Sequence, residues 1–246
     1  MDSNKFYKPD FLPQGMMIGY CSLTVMLGIL NYFFGTNFGS KDNFDILSLV
    51  KRGRSGTADL IDIDEIALFL DRMYLSCEIF TSMNEEDGKK SFDGTKEEKL
   101  AIFKKYTKPE FHHNIQGDKR VFESGMSLDI IDDLLMQRLK QSSVKFSYNV
   151  SLANIADNIK QNQGVGVLFV LGLNRSILYN KESNSSDGDG HLVLCTGIDD
   201  NNNCIIYEPI DPRPNPHYIP TERVLRAMTD IGSHSMLMIK DNPDHQ

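Results

Sequence analysis

Three short apolar runs in the last third of the chain constrain its fold more than any other feature. Gly164-Val-Gly-Val-Leu-Phe-Val-Leu-Gly172 is apolar almost without a break, and residues 192–198 and 204–207 follow the same pattern. Runs of this length, bounded by turn formers, read as buried strands. Between the second and third lies Asp199-Asp-Asn-Asn-Asn203, whose composition predicts a hairpin turn. Residues 235–240 predict a closing strand. Thr221 is expected to cap a short helix through Val224, Leu225 and Met228.

The first half reads as helical. Residues 16–34 form an apolar stretch with small residues at its start, and Gly19, Ser22, Thr24, Gly28 and Asn31 break its hydrophobicity. It predicts a helix, not a membrane span. Across residues 59–80, Ile63, Ile66, Ala67, Leu70, Met73 and Tyr74 recur at spacings of three and four, which predicts one amphipathic helix. Residues 84–118 are polar, with a single helical pattern at 97–106, and the interval 53–123 is expected to be an insertion or lid. Ser127 opens a further helical pattern that reaches Leu139, residues 144–148 alternate like a short strand, and Ser151 caps a helix through Ile155 and Ile159. Helices first and antiparallel strands last is an α+β order, and 246 residues suit one domain.

The net charge of −8 argues against partners such as nucleic acid or anionic membrane. Four cysteines, at 21, 77, 195 and 204, show neither a CxxC pair nor a zinc pattern. No secretory leader pattern stands at the start, so a reducing, cytoplasmic setting is expected, with export by a signal-less secretion route left open. His112-His113 has no nearby acid cluster at metal spacing. No metal or other cofactor is expected.

The chemistry points to Cys21. It opens the first apolar helix, where unpaired backbone N–H groups and the helix dipole favour a thiolate. Gln14 stands upstream as a candidate oxyanion donor. His191 follows a Gly-Asp-Gly turn at the start of a buried strand and is the candidate base. A third polar group should orient the imidazole, and Glu208 and Asp211 both lie just past the strand that follows the hairpin. Cys195 is expected to point into the core. Arg175, past the strand at 164–172, reads either as a solvated loop end or as a carboxylate clamp.

These segments resemble the catalytic domain of the phytochelatin synthase family. Gln14, Tyr20-Cys21 and Leu30-Asn31 are similar to that family's nucleophile segment. Gly125-Met-Ser-Leu-Asp, Leu173-Asn174-Arg175 and Gly190-His191 resemble later ones. The best late match is Pro214-Asn-Pro-His217-Tyr-Ile-Pro220, followed by Leu225-Arg-Ala-Met228. The resemblance covers the start and the last half and leaves residues 35–124 unmatched. It implies a papain-like fold, with a helical N-terminal part carrying the nucleophile and an antiparallel sheet carrying histidine and acid. It implies a Cys–His–acid triad and prefers Glu208 to Asp211. It places Tyr20, Asn174 and Arg175 on the substrate side.

The implied reaction cleaves glycine from glutathione, or cuts a related γ-glutamyl or peptide amide. It proceeds through a cysteine thioester whose acyl group passes to an amine or to water. Ser22 stands where the family has glycine, Gln14 is one residue further from Cys21 than usual, and the third member is Glu rather than Asp. Two alternatives keep the same residues. One is a protein-directed cysteine protease of effector or toxin type, binding its protein substrate through the insertion. The other is a degenerate, non-catalytic binding module.

Overall fold

The computed structural model describes residues 21–39, 63–106, 133–180, 190–211, 213–229 and 235–242. Among them the chain is mixed α and β, with eight helices and one seven-stranded, mostly antiparallel sheet. In chain order the elements are α1 (Cys21–Phe34), α2 (Ile63–Arg72), β1 (Ser76–Thr81), α3 (Glu85–Asp93), α4 (Lys96–Tyr106), α5 (Asp133–Gln141) and β2 (Lys145–Ser147). There follow α6 (Leu152–Asn162), β3 (Val167–Asn174), α7 (Arg175–Leu178), β4 (Gly190–Ile198), β5 (Asn203–Tyr207), β6 (His217–Pro220), α8 (Thr221–Thr229) and β7 (Ser235–Lys240).

The strands lie in the order β2-β1-β7-β3-β4-β5-β6. All neighbours are antiparallel except β1 and β2. β3 lies at the centre, and its side chains alternate between two cores. Leu168 and Val170 join the residues of α1, α2 and α5, while Phe169, Leu171 and Leu173 join those of α6, α7 and α8. A strand covered on both faces must be apolar at every position, which is why this segment shows no alternation in the sequence. Burying Phe169 completely is worth roughly 2–3 kcal/mol on area grounds.

Several local expectations coincide with the structure. Ser151 caps α6, accepting from the Asn154 amide while the Asn154 side chain accepts from the Ser151 amide. The hairpin between β4 and β5 closes at Asp199–Asn203, where the Asp199 carboxylate accepts from the Asn201 and Asn203 amides. At the end of α1, Gly35 takes a left-handed conformation (φ +61°), and the Asn31 carboxamide pins Phe38 through its amide and its carbonyl.

Other expectations are corrected. The single helix predicted over 59–80 is a shorter helix, α2, followed by strand β1. Tyr74 stands between them at φ +63°, breaking the helix before Ser76. Met73 and Tyr74, read as part of the helix's apolar face, are exposed at the break, and the buried residues beyond it, Cys77, Ile79 and Phe80, belong to β1. β1 pairs with β7 in full register, so part of the 53–123 interval belongs to the main sheet. The polar stretch after it holds α3 as well as α4. Asn84 caps α3 and its first turn carries three acids, signals that outweigh a sparse apolar pattern. The strand expected from Gly164 begins at Val167, after a turn with Gly166 at φ +78°. Thr221 opens α8 rather than capping it and donates its hydroxyl to the Asn202 carbonyl. Of the helix read from Ser127, residues 127–132 lie outside the described residues. So do His112-His113 and residues 40–62 before α2.

Candidate active site

Three elements converge at one end of the sheet. Cys21 is the first residue of α1, His191 the second residue of β4, and Glu208 the first residue past β5. β4 pairs with β3 so that His191 lies opposite Leu173. All three side chains are buried: Cys21 is 8% exposed, His191 5% and Glu208 0%.

The His191 Nε2 atom lies 2.7 Å from Glu208 Oε1. The imidazole is also hydrogen-bonded to the Cys21 thiol. With Nε2 committed to Glu208, Nδ1 is the ring nitrogen left for the sulfur. The Leu192 and Ser22 amides also donate to the Cys21 sulfur. Such donors stabilise an anion in a place where water cannot.

The electrostatics follow from this geometry. Burial alone would raise the Cys21 pKa. The His191 hydrogen bond and charge, with the two backbone amides, overcome it and hold the thiol below its ordinary value. Burial likewise disfavours an imidazolium, but Cys21 and Glu208 on its two sides push His191 up to about 9. Glu208 is driven upward by burial and more strongly downward by His191, the Ile210 amide and the Tyr179 hydroxyl, so its pKa falls. The three groups favour a thiolate, an imidazolium and a carboxylate in a row.

Glu208 is held from several sides. The Ile210 amide donates to Oε1 at 2.9 Å, and the Tyr179 hydroxyl to Oε2 at 3.0 Å. Its backbone is fixed by Asn215, whose Oδ1 accepts from the Glu208 amide at 2.8 Å and whose Nδ2 donates to the Glu208 carbonyl at 3.2 Å. Arg175 Nε stands 3.9 Å from Oε1, too far for a hydrogen bond but close enough to add positive charge.

The alternative acid, Asp211, sits elsewhere. It is bound by Arg213 through Nε and Nη2, at 3.0 and 2.6 Å, and this pairing lowers its pKa to about 2. Of the two acids the sequence left open, the structure brings Glu208 to His191 and commits Asp211 to Arg213.

Of the residues expected on the substrate side, Asn174 caps α7, its Oδ1 accepting from the Ile177 amide. Arg175 is the first residue of that helix rather than a loop end, and its guanidinium lies 5.8 Å from the centre of the Tyr179 ring. Gln14 and Tyr20 lie outside the described residues. Cys195 belongs to the core, fully buried, with its thiol directed to the Gly197 carbonyl at 3.4 Å. No group of three His, Cys, Asp or Glu side chains among the described residues is placed to hold a metal ion, and no helix among them is long and apolar enough to cross a membrane.

Tyr179, His217, Asn215 and the Leu192 amide were not expected at the site. Tyr179 follows α7 with no local pattern to mark it. Asn215 shows only as a polar residue between two prolines, and a backbone amide leaves no trace in a side-chain motif. No model of a protein family matches the chain, and no curated protein does. The functional reading therefore rests on the residues of the site.

Proposed function

We propose that this protein is a cysteine-dependent acyl enzyme on a papain-like scaffold, acting on glutathione or a related γ-glutamyl or peptide amide. The observation that carries the reading is the buried Cys21–His191–Glu208 row, with the thiol lowered and the imidazole raised. A purely structural buried cysteine gains nothing from a charged partner, because burial favours the neutral thiol. A degenerate binding module would equally have no need of an ionised row.

The residues divide the reaction as follows. The Cys21 thiolate attacks the carbonyl carbon of the substrate amide, with glutathione the bond between cysteine and glycine. The C–N bond breaks, and the proton on His191 passes to the departing amine. The acyl group is left on Cys21 as a thioester. An amine or water then attacks, His191 accepts its proton, and the thiolate returns. Glu208 holds the imidazole in the tautomer and orientation both steps need, and its charge favours the imidazolium between them. The Ser22 and Leu192 amides favour the thiolate, and the upstream Gln14 is assigned as an oxyanion donor. Tyr20, Asn174 and Arg175 are assigned to the substrate side of the site.

The test is glycine release from glutathione by the wild type and by C21A. The wild type should release glycine and C21A should not. Equal release by both would sink the reading. If Cys21 is rapidly alkylated yet glutathione is untouched, the same row acts on another amide. A mass shift on a protein partner would then identify the protease alternative.

A further inference from the structure

Beyond Glu208 the row continues. Tyr179 caps the C-terminal end of α7, and its hydroxyl lies 3.0 Å from Glu208 Oε2 and 3.2 Å from His217 Nδ1. His217 is the first residue of β6, paired with Ile206 on β5 two residues before Glu208. Burial and the adjacent Glu208 charge raise the Tyr179 pKa, so the phenol is neutral and has one proton to give. An ionised carboxylate only accepts. The phenol therefore donates to Glu208 and accepts from His217, which places the imidazole proton on Nδ1. The other nitrogen, Nε2, is buried without a partner. A bare buried nitrogen is costly to keep, and this one belongs to a ring whose opposite face serves Tyr179.

The phenol ring is itself held. The Arg175 guanidinium lies 5.8 Å from its centre and that of Arg213 5.4 Å, and Asp211 fixes Arg213. Glu208 Oε1 is committed to His191 and the Ile210 amide, so Oε2 is the oxygen that sets the rotation of the carboxylate. Its side-chain partner is Tyr179.

We propose that Tyr179 and His217 are positioning residues that, acting in series, hold the plane of the Glu208 carboxylate so that Oε1 stays on His191. This rests on the acyl-enzyme reading of Cys21, His191 and Glu208. Neither residue touches the reacting atoms. A second consequence concerns Asp211: its place is two contacts further out, holding Arg213 over the ring.

The experiment compares Y179F, H217L and H217N with the wild type. Y179F keeps the ring and removes the donor. Its kcat on glutathione should fall about tenfold, the scale of one lost hydrogen bond to a charged group, with KM unchanged. H217L should fall similarly. H217N, whose carboxamide N–H can stand where Nδ1–H stood, should recover most of that loss. Wild-type kcat in both Y179F and H217L, or a loss in H217N as large as in H217L, would overturn the proposal. The second readout needs no substrate. The proton between His191 Nε2 and Glu208 should give a downfield NMR resonance that exchanges faster with solvent in Y179F and H217L. An identical resonance and exchange rate in the wild type and both variants overturns the proposal even if glutathione proves the wrong substrate. C21A with wild-type turnover would instead defeat the acyl-enzyme reading and leave the NMR comparison to decide the role of Tyr179.

Discussion

Cys21 and Cys77 are both buried thiols at the start of a secondary-structure element, yet they are pushed in opposite directions. Cys77, the second residue of β1, is 3% exposed, and burial together with the Asp71 charge pushes it up to about 12. Cys21 is 8% exposed, and its pKa falls. Exposure does not separate them. The difference is that, among the described residues, burial and the Asp71 charge act on Cys77, whereas β4 brings an imidazole and a backbone amide to Cys21. A buried thiol is inert unless the fold delivers the opposite charge to it.

The largest expected effect comes from removing that charge. H191A should turn the Cys21 corner into a second Cys77 corner, with burial left to raise the thiol. Turnover should fall by roughly 10³-fold or more, since both the thiolate and the general acid are lost. Alkylation of Cys21 at neutral pH should slow to the rate seen for Cys77. If Cys21 in H191A still labels as in the wild type, the contrast between the two corners has another cause.

E208Q should have a smaller effect, roughly 10²-fold on kcat. The carboxamide leaves the imidazole a neighbour but no opposing charge, so the imidazolium is less favoured. D211N gives the matching control for the same loop. A larger loss in D211N than in E208Q would exchange the roles assigned to the two acids.

The pH dependence sharpens the comparison without a mutation. The thiolate of Cys21 is present above its lowered pKa, so alkylation should set in at a lower pH than for an ordinary thiol and weaken as pH falls through that value. Raising the pH through about 9 removes the His191 proton. Alkylation needs no acid and should persist there, while turnover should decline because the leaving amine is no longer protonated. Cys77 should label slowly until the pH approaches about 12. Parallel profiles for alkylation and turnover up to pH 10 would count against His191 as the acid.

The smallest effect belongs to Cys77 itself. C77A should cost about 1 kcal/mol in chemical denaturation, a typical core truncation, and leave turnover unchanged. A loss of turnover without a loss of stability would show that the two corners communicate.

Much of the fold was legible where local signals agree with tertiary demand. The strand at 167–174 shows itself because its central place requires apolar residues on both faces. Ser151 and the Asp199–Asn203 turn show themselves because their side chains satisfy backbone groups a few residues away. The segment containing Tyr74 misled because helix and buried strand both call for dense apolar residues, and a positive φ at one tyrosine carries no compositional signal. Within the site, Cys21 and His191 could be named from helix start and strand start. The choice between Glu208 and Asp211 could not be made from spacing, since both follow the same strand within four residues.

By itself, the amino-acid order determined the late apolar strands, the polar turns between them, the apolar first helix that holds Cys21 and the small set of polar residues able to act as a nucleophile, base and acid. These properties depend on neighbours within a few residues. Only the tertiary structure decided that β1 joins the main sheet, that Glu208 meets His191 while Asp211 meets Arg213, and that Tyr179 and His217 stand behind the acid. Apart from the Asp211–Arg213 pair, those contacts join residues 17 to 164 positions apart, and what brings them together is strand register and helix packing over the whole sheet. The pKa of a buried thiol belongs to the same level, because its sign depends on what the rest of the fold places beside the sulfur.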